Sequence, residues 1–161
     1  MKTLAEAFHH MLQDIYYAEN ALVKALPKVA GAAVSPEFKA LVEAHLAETK
    51  QQVKILNEVF AVLKKKPVGV KCDAMDGLLK ETDSIIADAS GVALDASLIA
   101  AAQAVEHYEI ARYGTLREWA KVLGMTEAHD LLSEILDMEK AANSKLTNLA
   151  VTAVNMTKMV A

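Results

Sequence analysis

One cysteine, Cys72, stands alone in 161 residues, so no intramolecular disulfide framework can hold this chain together. Proline and glycine are scarce, at three and six residues, and aromatics make up only 5%. A β-rich domain needs more turn residues and more aromatic and β-branched side chains, which argues against one here. No continuous apolar run approaches the roughly 20 residues needed to cross a bilayer. Met1-Lys2-Thr3-Leu4 passes straight into an amphipathic pattern with Glu6, His9 and His10, unlike a signal peptide. The net charge of −4 is mild and dispersed, and Lys64-Lys65-Lys66 is too short a run to argue for nucleic acid or membrane. Together these absences lead us to expect a soluble protein of a reducing cytoplasm, with neither a nucleic-acid nor a membrane partner.

What is present is helix-forming. Hydrophobic residues reach 53%, with alanine and leucine prominent, and the length suits one domain spanning residues 1–161. Apolar residues recur three and four positions apart through four long segments. The first runs from about Thr3 to Ala33, with Pro27 inside it predicting a kink or a break. Ser35-Pro36-Glu37 restarts the chain with a capping hydroxyl, a proline at the first helical position and an acid at the positive pole. The second helix should then run to about Leu63, where three lysines and Pro67 end it. A third long helix is expected from Val92 or Asp95 to Leu123, and a fourth from Glu127 past Leu149, with Gly124 and Thr126 as the intervening stop and N-cap. The linker of roughly 30 residues between the second and third helices is too long for a tight turn. It suits a crossover travelling the length of a bundle, with a short helix over about Ala74–Asp88. The tail from Val151 to Ala161 either extends the last helix or docks on a partner.

Each long helix carries an acid where its apolar seam should continue: Glu19, Glu48, Glu109 and Glu139. Glu19 and Glu48 are 29 positions apart and Glu109 and Glu139 are 30 apart. At about 1.5 Å per residue, the two acids of each antiparallel hairpin arrive at nearly one height. His45 shares a face with Glu48 three residues later, and Glu106 lies one turn before Glu109. An ionised carboxylate in a core costs several kcal/mol unless something positive or proton-donating meets it. Two divalent cations would relieve four or five converging acids, in the manner of the di-iron and di-manganese carboxylate bundles. A ligand set rich in oxygen and poor in nitrogen and sulfur suits iron first and manganese second, rather than zinc. The candidate ligands are therefore Glu19, His45, Glu48, Glu106, Glu109 and Glu139, and the candidate substrates are dioxygen and peroxide.

The competing explanation is a metal-free structural or interaction bundle with a buried polar core. Arg112 can pair with one acid in that case, and Tyr16, Tyr108 or Tyr113 can donate to others. One cation cannot neutralise four acids, which favours metal. His107 points about 100° away from Glu106 and is not expected to ligate. His9, His10 and His129 read as surface residues, Asp14 and Asp137 as solvated acids or, failing that, as hydrogen-bond partners of residues around the site, and Cys72 as an ordinary thiol.

Four phrases carry a family resemblance: Q-D-I-Y-Y-A-E-N-A-L-V-K-A-L-P-K over 13–28, E-A-H-L-A-E-T-K-Q-Q-V over 43–53, A-A-Q-A-V-E-H-Y-E-I-A-R-Y-G-T-L over 101–116, and L-D-M-E-K-A-A-N-S-K-L over 136–146. They resemble the bacterial YciE/YciF family, a ferritin-like group of undefined function linked to stress response. The resemblance implies a ferritin-like four-helix bundle, a homodimer, and a di-metal site like that of rubrerythrin. In that comparison Glu19 matches the first helix, Glu48 the second, Glu106 with Glu109 the third, and Glu139 the fourth. The pattern departs from Glu-x-x-His at two places, since Gln51 follows Glu48 and Ala142 follows Glu139.

Overall fold

In a computed structural model, which describes residues 1–155, the chain is helical, with no strand among the described residues. Helix α1 spans Leu4–Ala32 and opens on a capping box, in which Thr3 Oγ1 accepts from Glu6 N–H at 3.2 Å and Glu6 accepts from Thr3 N–H at 3.3 Å. Of the two outcomes expected at Pro27, the break does not occur. Pro27 lies on the exposed side of α1, while Leu26, Val29 and Ala30 hold the same turn against the core.

Helix α2 spans Pro36–Val62, and Ser35 Oγ accepts from Phe38 N–H as the sequence leads one to expect. It stops before the lysine run, because Lys64 adopts a left-handed backbone with φ of 54°. That turn sends the Lys65 amide back to the Phe60 carbonyl at 3.0 Å. The crossover carries α3, Asp73–Asp88, and α4 spans Gly91–Val122. Gly124, with φ of 70°, closes α4 by the same device, directing the Met125 amide to the Ala120 carbonyl. Because that turn uses up Met125, α5 begins one residue earlier than expected, at Thr126 rather than after it, and runs to Leu149. Thr126 is therefore the first helical residue and not the N-cap. A π-helical turn over Ala150–Val154 extends α5, so this part of the tail continues the helix; residues 156–161 lie outside the described residues.

Helices α1 and α2 form one hairpin and α4 and α5 the other, with α1 also packing on α4 and α2 on α5. The shared core runs through Phe8, Ile15, Leu22, Leu56, Leu98 and Leu132. Asp95, buried at the start of α4, accepts from the Val34 and Ser35 amides at 2.9 and 2.6 Å and so fixes the α1–α2 turn over the second hairpin. Helix α3 lies over α1 and α4 and runs in the direction of α1. Val70 N–H meets Gln13 O at 3.2 Å, Tyr17 donates to Asp76 at 3.0 Å, and Lys28 meets Asp83 at 2.6 Å. Gly69 permits that approach, since a Cβ there would sit 3.0 Å from Tyr17 Cβ. The crossover thus travels the bundle's length, packed along α1 and α4.

Candidate metal centre

Glu19, Glu106, Glu109 and Glu139 are buried in the middle of the bundle, each at most 1% exposed. Their helices put three of them there for ordinary reasons: Glu19, Glu109 and Glu139 occupy seam positions flanked by buried apolar residues one turn away, such as Ile15 and Leu22 around Glu19, while Glu106 lies one turn before Glu109 on α4. They fall into two groups that share one member. Ligand atoms of Glu19, Glu109 and Glu139 lie within 4.8 Å of one another, as do those of His45, Glu106 and Glu109. Glu109 therefore stands between two places able to hold a cation.

His45 enters from α2 with 13% of its side chain exposed, and its Nε2 lies 3.2 Å from Glu106 Oε1. Glu48 does not join the buried group. It is 31% exposed, accepts from Lys145 at 2.9 Å, and lies 3.8 Å from His45 Nδ1, an ion-pair rather than a hydrogen-bond separation. Of the six sequence-derived residues, five converge and Glu48 stands at the rim. His107 is exposed on α4, as its angular position requires.

Two neutral donors touch the acids. The Tyr113 hydroxyl, fully buried, donates to Glu19 Oε1, fulfilling one of the three tyrosine roles considered above. Gln52 Nε2 donates to Glu139 Oε1 at 2.8 Å. Gln52 is the residue that a comparison with Glu-x-x-His misses: Gln51 occupies the expected position but faces solvent, while Gln52 turns inward. Its place on the seam was the available signal. Tyr16 instead packs edge-on to Phe60, with ring centroids 5.4 Å apart. Arg112 leaves the core acids altogether. It stacks on Tyr108, 4.8 Å from the ring centroid, and lies 3.8 Å from Asp14. Tyr108 likewise donates outward, to Asp14 at 2.6 Å, so Asp14 is a partnered residue and not a solvated acid. Asp137 is exposed as expected.

The donors are too few for the acceptors. Both oxygens of Glu109 and one each of Glu19, Glu106 and Glu139 are buried without a hydrogen-bond partner. The proton affinities record this. Burial pushes the Glu19 carboxyl up to about 7 despite the Tyr113 hydroxyl and His45. Burial, then the neighbouring acids, raises Glu109 and Glu139 well above the usual carboxylate range. Burial also raises Glu106, with His45 opposing. His45 is itself raised: burial works against its protonation, but Glu48, Glu106 and Glu19 outweigh it. At the rim, His45 and then Lys145 hold Glu48 down to about 2. Unpartnered carboxylate oxygens facing one another, with one imidazole beside them, fit hard or borderline divalent cations.

The comparisons with known proteins agree on the fold. Residues 3–159 match the family described as a domain of unknown function, DUF892. The chain is 44% identical over 157 residues to Protein YciF of Escherichia coli (strain K12), covering 96% of this chain and 95% of that one. The crystal structure of the E. coli stress protein YciF superposes with a TM-score of 0.93 over 97% of this chain and 99% of that chain. YcfI from Rhodopseudomonas palustris follows at 0.88, with 47% identity over 91% and 94% of the two chains. A Xanthomonas campestris structure with 21% identity and a TM-score of 0.74, covering 94% of this chain and 93% of that one, shares the fold alone. An all-helical bundle matched to that family over nearly its whole length makes this chain a member of the DUF892 family, to which YciF is its 44% identical relative.

Proposed function

We propose that this chain binds two divalent metal ions, iron or manganese, at a site like that of rubrerythrin, and acts there on dioxygen or peroxide or handles iron. One observation carries the reading: four buried carboxylates converge with five of their oxygens unpartnered. Glu19 and Glu139 would hold one ion, His45 and Glu106 the other, and Glu109 both. When bound, such a pair of ions supplies electrons for reducing dioxygen or peroxide. The chain's own residues do the positioning. Tyr113 and Gln52 each hold one oxygen of Glu19 and Glu139, which leaves the second oxygen of each free to ligate. Lys145 draws Glu48 to the rim, where it faces His45 Nδ1 and can orient the imidazole. The stress context comes from the relative YciF, described as a stress protein. We place the protein in the cytoplasm as a homodimer, on the single cysteine, the Ala-rich stretch of α4 and the apolar tail. Among the described residues no helix is long and apolar enough to cross a membrane.

Metal analysis of protein produced with iron and manganese supplied tests the reading. The expected stoichiometry approaches two ions per chain, as in other carboxylate bundles, and Glu109→Ala should empty both positions. Protein that takes up neither metal, with or without Glu109→Ala, overturns it.

A second reading has its own support. Ala142 stands where Glu-x-x-His bundles place a nitrogen ligand, and Glu109 and Glu139 can be neutralised by protons. A metal-free structural or interaction bundle would then keep its function when Glu19 and Glu139 are replaced by Leu, and would melt higher.

A further inference from the structure

Beside the acids the bundle interior is apolar and incompletely filled. A cavity of about 60 Å³ is walled by Leu26, Leu98, Ala102, Val105 and Leu146. Of the buried ligand set it touches only His45 and Glu106, at one end. At that same edge lie the Glu48–Lys145 ion pair, with Glu48 3.8 Å from His45, and exposed Ala44. Thr82 also lines it, but its hydroxyl donates to the Leu78 carbonyl at 3.0 Å.

Size and wall chemistry select the guest. An apolar cavity of roughly 150 Å³ stays dry and takes benzene or xenon. One of about 60 Å³ is well below that size and suits a diatomic molecule or a single heavy atom. Water or peroxide needs two or more polar partners to settle, and the hydrocarbon stretch offers at most one, the accepting oxygen of Thr82. We infer that this cavity is a dioxygen site opening on the His45–Glu106 side of the acid cluster. Binding stands on the cavity alone; delivery to a metal rests on the function proposed above.

Dioxygen itself is the probe. Metal-free, methyl-labelled protein is placed under dioxygen pressure, and paramagnetic relaxation is read at each methyl group. The methyls of Leu98, Val105 and Leu146 should relax several-fold faster than those of Leu12, Ile15 and Leu132, which are as deeply buried but do not line the cavity. Ala102→Leu, which fills the cavity, should abolish the difference. Uniform enhancement over both sets overturns the inference. Should Ala102→Leu not fold, Ala25→Leu fills the same space, and xenon-pressurised crystals give an independent reading. One xenon in the cavity supports the site, and ordered water persisting there overturns it. Metal uptake measured on the same protein separates the two claims. Dioxygen enhancement without uptake removes the metal reading and its delivery step but keeps the dioxygen site; uptake without enhancement removes the site and keeps the metal reading.

Discussion

Helix α4 separates two polar clusters made from nearly the same residue types. Outward, Tyr108 donates to Asp14, contacts the Cys72 thiol at 2.9 Å and lies under the Arg112 guanidinium. Inward, Tyr113 donates to Glu19 among three further acids. The outer cluster brings one carboxylate, one cation and two hydroxyl or thiol donors together, and its only buried unpartnered atom among the described residues is Arg112 Nε. The inner cluster sets four carboxylates against one imidazole and two neutral donors, and leaves five carboxylate oxygens unpartnered. A cluster whose charges and hydrogen bonds close on themselves holds helices together. One that does not close must be kept by something outside the chain, protons or cations, because each unmet buried charge costs several kcal/mol.

The sharpest way to break that contrast is to remove Glu109. Glu109→Ala should weaken metal binding on the order of 100-fold or more, since it takes a ligand from both positions, where even outer partners of ligands are worth 10–100-fold. Glu109→Leu, measured on metal-free protein, should leave stability unchanged or raise it, because an unmet acid is replaced by hydrocarbon. A lower melting temperature for metal-free Glu109→Leu would mean that the inner cluster closes on itself after all.

Acidity sharpens the contrast without mutation. The folded-state pKa of Glu19 rises from 4.5 to about 7, and Glu106, Glu109 and Glu139 move the same way. A raised carboxyl pKa means that the folded chain binds more protons than the unfolded chain, so this stabilisation is complete below the unfolded value and is lost as pH rises through the folded one. Metal-free protein should thus gain stability as pH falls from about 8 to about 5, whereas metal occupancy should fall over the same range as protons compete for the ligands. Denaturant melts with and without metal check this. Parallel slopes would defeat it.

The outer cluster should respond in the opposite sense. Asp14→Ala strands the Tyr108 hydroxyl and the Arg112 charge, and should cost about 2 kcal/mol, in the range for charge-assisted hydrogen bonds. Metal content should not change. A variant that loses metal while keeping its stability would show that the outer cluster serves the inner one.

The seams explain how much of this was legible in the sequence. Spacing of three and four residues says which face of a helix is buried, so the helices and the inward direction of Glu19, Glu109 and Glu139 could be read from it. Spacing does not say what stands opposite. Glu48 occupies a seam position, yet Lys145 on α5 draws it to the rim. Arg112 looked available to the core acids until Asp14, from α1, and Tyr108 took it. Turn chemistry shows the same limit. Gly124 advertises its left-handed turn, whereas Lys64 adopts one with no such mark, held by the Lys65–Phe60 bond. The dioxygen-sized cavity was invisible for a related reason: its walls are ordinary seam residues from several helices, and only their packing leaves the gap.

The smallest effect belongs to Cys72, and it tests whether the outer cluster is purely structural. The thiol is 1% exposed, caps α3 by accepting from the Met75 amide at 3.4 Å, and contacts the Tyr108 hydroxyl. Burial pushes its pKa up, so it stays a thiol rather than a reactive thiolate. A serine hydroxyl can accept from the same amide and meet the same phenol, and serine is the better capping residue. Cys72→Ser should therefore change stability by less than about 1 kcal/mol, the loss of a buried sulfur being offset by the stronger cap. Metal content and the response of metal-free protein to pH should stay as in the parent chain. If Cys72→Ser instead alters metal occupancy while the fold holds, the two clusters are coupled through Tyr108, which neighbours Glu109 in sequence, and the division drawn along α4 fails.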